Sequence, residues 1–138
     1  MDENGVTVVD LRDAPVTMDP EMMGSHDSVL AALAQHYELQ GQKTHQLWVG
    51  DLDDKLTTMF DLALPDSHLL FDVETVDTLI GLAPHRYEEW RAAGYEVWIV
   101  APNDKLDVVK RRMHGNVDRV QGWRMSGPKV IFEQPVPG

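Results

Sequence analysis

Three acids stand inside or beside apolar, strand-like sequence. Asp61 follows Met59-Phe60, and Asp72 and Glu74 follow Leu69-Leu70-Phe71. Side chains alternate along a strand, so Asp72 and Glu74 are expected on one face, with Phe71 and Val73 on the other. Placing two like charges side by side in a buried setting is costly, and a divalent cation is the usual compensation. A hairpin turning at Pro65-Asp66 would bring Asp61 opposite that pair. Three carboxylates within reach of one ion form a hard oxygen site suited to Mg²⁺ or Mn²⁺. An ion held there activates water and stabilises the charge that develops on a phosphodiester under attack. The ordinary alternative is a wet sheet face, with Asp72 and Glu74 bonded to nearby backbone or paired with Arg91.

Other routes to chemistry are thin. The chain has no cysteine, hence no disulfide, zinc knuckle, iron–sulfur cluster or thiol nucleophile. Its six histidines (26, 36, 45, 68, 85 and 114) include no H-x-x-x-H pair for a helical zinc site. No G-x-x-x-x-G-K-[ST] or G-x-G-x-x-G loop is present. Ser25, Ser28, Ser67 and Ser126 lack the context of a nucleophile elbow. His26 and Glu38, on the first expected helix, are candidate additional ligands or bases, and Lys55, six residues before Asp61, is a candidate cation reaching the site from the neighbouring strand.

At 138 residues the chain predicts one domain with one core. No apolar stretch approaches the roughly 18 residues of a membrane helix. The opening MDENGVTVVDLRD has neither the basic nor the apolar region of a secretory leader, so the cytoplasm is the expected compartment. A net charge of −11 argues at first against a polyanionic partner. The charge is unevenly spread, however. Residues 1–28 hold seven acids and one base, and residues 29–104 thirteen acids and four bases; residues 105–138 hold three acids and seven bases. Within that basic quarter, Lys110, Arg111 and Arg112 form the candidate nucleic-acid surface, and Trp123 is placed to stack on a base or to pack the tail. A solvated helix face is the plainer reading of the same basic run.

The elements that must position these groups follow from periodicity and breakers. Residues 1–24, with Pro15 and Pro20, read as an arm containing one short strand at Val6–Val9; residues 25–138 read as the domain. Asp27 or Ser28 is the expected cap of a helix reaching Gly41. Strand-like runs at 46–49, 56–64 and 68–73 are separated by turns and suggest an antiparallel meander. Thr78–Ala93 reads as an amphipathic helix broken near Pro84, with Gly94 after its end. A strand at 95–101 follows, parallel to 68–73 through the crossover helix. Lys105–Met113 reads as a helix and Lys129–Phe132 as a last strand. The expected fold is therefore α/β, with a mixed central sheet flanked by helices.

This order resembles the restriction-endonuclease-like, or PD-(D/E)xK, nuclease superfamily over residues 25–101. The parts that carry the resemblance are Ser25-His26-Asp27 opening the first helix, Asp61 in FDLALPD, Asp72-Val73-Glu74-Thr75 in LLFDVET, and HRYEEWRAAGYEVWIVAP. By that resemblance Asp61 and Asp72 would be metal ligands and catalytic, and Glu74 would occupy the place usually held by a lysine. Glutamate supplies no positive charge there; an acid at this place serves some members as a base or second-metal ligand and also occurs in members without activity. The resemblance thus implies an Mg²⁺- or Mn²⁺-dependent nuclease with Asp61, Asp72 and Glu74 at its centre and DNA as the expected substrate. A homodimer would cut both strands, with the Trp-bearing segment 85–93 as its candidate interface. The alternative is a nuclease-fold module without catalysis that binds nucleic acid or protein.

LLFDVETVDTL also looks like the first motif of haloacid-dehalogenase-type phosphatases, in which Asp72 would be the nucleophile. Glu74 replaces that motif's second Asp, Val76 stands where Thr is expected, and the run lies far from the chain's start. This reading is the least favoured.

Overall fold

A computed structural model describes residues 5–13, 24–52 and 56–138 of the chain. Pro15, Pro20 and Lys55 lie outside the described residues. Helix α1 (His26–Leu39) is capped by Ser25, whose hydroxyl accepts the Ser28 N–H at 3.2 Å. Ser28 returns its own hydroxyl to the Ser25 carbonyl at 2.9 Å. The cap is thus two or three residues earlier than the sequence suggests, and Asp27 falls in the first turn, where the helix dipole favours an acid. Val29, Leu30, Ala32 and Leu33 face the core.

The strands are β1 (Thr7–Asp10), β2 (His45–Leu52), β3 (Leu56–Leu64), β4 (Leu69–Val73), β5 (Glu96–Pro102), β6 (Arg119–Ser126), β7 (Lys129–Phe132) and β8 (Val136–Pro137). They form one sheet in the order β1-β7-β6-β5-β4-β3-β2, with β8 added on β6. The expected meander is present, since β2–β3 and β3–β4 pair antiparallel. The expected parallel pair β4–β5 is also present, and β5–β6 extends it in parallel. The strand anticipated near Val6–Val9 is β1, antiparallel to β7. The chain is therefore a mixed α/β protein.

Two regions depart from the sequence reading. The segment after β4 is not a long helix. It makes 3₁₀ turns at Leu79–Gly81 and Pro84–Tyr87, then the short helix α2 (Glu88–Ala92). Pro84 forces Ala83 into an extended conformation (φ −121°, ψ 112°), which cuts the helical path where the sequence placed a break. β6 was not anticipated at all. Its residues Val120–Trp123 are buried in succession, so no alternation marks it, and Gly122 lets the Asn103 side chain and Leu106 approach closely.

The sheet carries a core on each face. On one, α1 covers Leu62, Leu64, Phe71, Val73, Val100 and Phe132. On the other, α2 and α3 (Leu106–Met113) cover Phe60, Leu70, Ile99, Ala101 and Val120 with Tyr87, Trp90 and Met113. Trp90 is fully buried against Trp48, Phe60 and Tyr95, so it belongs to the chain's own core and is not presented to a second copy. Among the described residues no helix is long and apolar enough to cross a membrane.

Candidate active site

Asp61 sits where β3 loses its partners on both sides. Toward β2, the register skips the pair that Leu47 and Asp61 would form, and Leu47 takes a left-handed φ of 53°. Such a conformation costs a bulky residue about 1 kcal/mol or more. Toward β4, the ladder ends at Leu62–Phe71, one step short of Asp61 and Asp72. The interruption also breaks the alternation of β3: Phe60 packs under α2, and Leu62 packs under α1.

Carboxylates replace the missing rungs. The Asp61 N–H donates to Asp72 Oδ1 at 3.3 Å, and the Val73 N–H donates to Asp61 Oδ2 at 2.7 Å. Each acid thereby satisfies backbone of the other strand. The second oxygen of each acid faces a side chain. Asp61 Oδ1 lies 3.0 Å from His26 Nε2, and Asp72 Oδ2 accepts the Tyr87 hydroxyl at 2.5 Å. His26 Nδ1 approaches Asp27 Oδ1 at 3.3 Å, so the first turn of α1 aims an imidazole between two acids. Arg86 brings its guanidinium to 3.7 Å from Asp72 Oδ2.

Glu74 follows the last residue of β4. Its backbone is pinned on both sides: its N–H donates to Val100 O at 2.7 Å, and its carbonyl accepts the Trp123 indole N–H at 2.9 Å. Trp123 is thus a buried strand residue with its N–H committed, and it presents no face for a nucleobase. The half-buried Glu74 side chain joins His26, Asp61, Asp72, Val73, Thr78, Arg86 and Met59 around an open groove of about 220 Å³. The three acids singled out in the sequence are therefore brought together, with His26 beside them.

The electrostatics follow from this crowding. Burial is the main reason the Asp72 carboxyl is pushed up to about 6, with the Asp61 charge adding to it; Arg86 and the Tyr87 hydrogen bond pull the other way. Burial also raises Glu74, and the charges of Asp72 and Asp61 raise it further against the opposing Thr78 hydroxyl and His26. For His26, burial alone would favour the neutral ring, yet the hydrogen bond and charge of Asp61, helped by Asp27, turn the net shift upward. Tyr87 is strongly raised by burial and by Asp72, so it remains a hydrogen-bond donor.

Not every candidate reaches the groove. Glu38, at the far end of α1, accepts the Thr44 hydroxyl at 2.5 Å. Arg91 bonds Asp118 at 3.1 Å and the Gly115 carbonyl at 2.7 Å rather than Asp72 or Glu74. Lys110, Arg111 and Arg112 lie in the last turn of α3 and do not line the groove; Arg112 reaches toward the Ile80 carbonyl at 3.5 Å. Arg86 and Tyr87 were missed from the sequence. Their only signal is His85-Arg86-Tyr87, polar and aromatic residues directly after the helix-breaking Pro84.

Among the described residues no group of three carboxylate or imidazole side chains is arranged to hold a metal ion as it stands. Comparison with known proteins finds no match: no family model, no curated protein and no solved structure.

Proposed function

We propose that the chain is a cytoplasmic, Mg²⁺- or Mn²⁺-dependent nuclease of restriction-endonuclease-like fold that cleaves DNA phosphodiesters, with two copies acting on the two strands. The observation that carries this reading is the meeting of Asp61, Asp72 and Glu74 in one open groove, from the middle strand of a meander and the end of its last strand. The order of a helix, a meander, helical turns and a strand parallel to β4 supports it as well. The donor set fits the ion by its chemistry: hard carboxylate oxygens, two of them on groups whose ionised form burial disfavours and a cation would restore. Asp61, Asp72 and Glu74 would hold it, and it would supply Lewis-acid stabilisation of the charge on the phosphoryl oxygens.

The chain's own residues do the rest. Glu74, ionised at the groove, would accept a proton from the attacking water at a carboxylate oxygen. His26 fixes Asp61 through Oδ1, and Tyr87 fixes Asp72 through Oδ2. Lys110, Arg111 and Arg112 would meet more distant backbone phosphates.

A second reading, a module of the same fold without catalysis, is favoured by one observation. Both oxygens of Asp61 and of Asp72 already have partners within the chain. Thermal unfolding with and without Mg²⁺ or Mn²⁺ separates the two. An ion at about 100 times its Kd stabilises by about 2.7 kcal/mol, several degrees in Tm. The nuclease reading expects that shift, together with cleavage of single-stranded, duplex or branched DNA, and expects both to vanish in Asp61→Ala and Asp72→Ala. No shift and no cleavage would leave the binding module. In that case replacing Lys110, Arg111 and Arg112 by Ala should weaken DNA binding and flatten its salt dependence.

A further inference from the structure

The groove is lined by three acids, and Arg86 is the one arginine or lysine among the described residues that lines it. A phosphodiester approaching those acids, Glu74 among them, meets repulsion. Arg86 is held in a way that leaves it available. One guanidinium nitrogen donates to the Met59 carbonyl at 2.6 Å, and the group lies over the rings of Phe60 and Tyr87, at 5.9 and 5.6 Å from their centroids. The same nitrogen forms an ion pair with Asp72 at 3.7 Å, beyond hydrogen-bond length, which leaves Nε and the other terminal nitrogen uncommitted among the described residues. The side chain is 41% exposed. A guanidinium anchored by stacking and one carbonyl, with free donors at a groove, has the planar fork that matches two phosphoryl oxygens.

We propose that Arg86 is the phosphate-binding residue of this groove, contacting the non-bridging oxygens of the scissile phosphodiester. The proposal rests on the nuclease reading, and its test separates the two. The full chain, loaded with Mn²⁺ at pH 8, is assayed for hydrolysis of thymidine 5′-(p-nitrophenyl phosphate) and, by calorimetry, for binding of thymidine 5′-monophosphate. Arg86→Ala should lose about 10²–10³-fold in kcat, the usual effect of removing one such donor. It should bind the monophosphate at least about tenfold more weakly, while its Mn²⁺ affinity stays within about threefold. Millimolar guanidinium should restore activity at least about tenfold, and Arg86→Lys, lacking the fork, should fall in between.

A merely structural role predicts lower stability and no chemical rescue, and that result would overturn the proposal. So would an Arg86→Ala variant that keeps both readouts within about threefold of wild type. If the wild type hydrolyses nothing but binds the monophosphate through Arg86, the nuclease reading falls and the anion site stands. A wild type that binds no monophosphate overturns the Arg86 assignment itself.

Discussion

Asp72→Asn should make the protein more stable at pH 8 and give no such gain at pH 4. The Asp72 side chain is almost completely buried, and its carboxyl is pushed up to about 6 from 3.8. The folded state therefore holds a proton that the unfolded state releases between about pH 4 and pH 6. Where the folded state binds more protons, stability falls as pH rises, and the loss is complete above the folded pKa. A rise of about 2 units at ~1.4 kcal/mol each makes ionised Asp72 cost about 3 kcal/mol at pH 8 relative to pH 4. Asparagine cannot ionise, but it has only one acceptor for the two donors, Asp61 N–H and Tyr87 O–H, that now meet separate oxygens. Losing one of those bonds costs about 1–2 kcal/mol at both pH values. The net expectation is about 1–2 kcal/mol of stabilisation at pH 8 and a similar destabilisation at pH 4. Urea unfolding of both proteins from pH 4 to pH 8, without metal, measures this. Comparing the two proteins cancels the titration of His26, while Glu74 loses the raising charge of Asp72 in the variant, which adds to the gain at pH 8. A change of less than about 1 kcal/mol in their stability difference across the range would refute the argument that burial of the Asp72 charge outweighs the help of Arg86 and Tyr87.

Two further outcomes are expected. His26 is raised by its acid partners, so its pairing supports the fold below the ring's ordinary pKa of 6.5 and is lost as pH rises through the folded value. His26→Gln should cost about 1–2 kcal/mol at pH 6 and less at pH 8, read from urea unfolding at the two pH values. Gly50→Ala should destabilise by about 1–3 kcal/mol, because an added Cβ would stand 2.4 Å from the packed rings of Trp48 and Trp90; a Tm unchanged from wild type would show that those rings yield.

The sequence carried the meander and the parallel strand well, because each strand there is a short apolar run closed by a turn dipeptide. β6 was hidden by the opposite cause. It is buried on both faces over Val120–Trp123 yet is framed by Arg119 and Arg124, so its composition reads as a basic tail. The site was half legible. Acids embedded in apolar runs gave away Asp61, Asp72 and Glu74. The backbone interruption at Asp61 left no mark: on the β2 side it falls opposite the left-handed Leu47, a position no residue pattern flags. Tyr87 and Arg86 reach Asp72 from a segment whose 3₁₀ turns place them differently from the continuous helix that periodicity suggests.

The exchange of backbone rungs for carboxylates makes two amides unusual. In an ordinary sheet the N–H groups of Asp61 and Val73 would be locked by carbonyls that no ligand can take. Here they are held by oxygens that a metal ion would compete for. An ion that drew the acids toward itself would open the seam between β3 and β4 and leave these two N–H groups to solvent. Amide exchange at Asp61 and Val73 would then gauge the site, and would run opposite to the general slowing that ligand binding imposes on the rest of the chain.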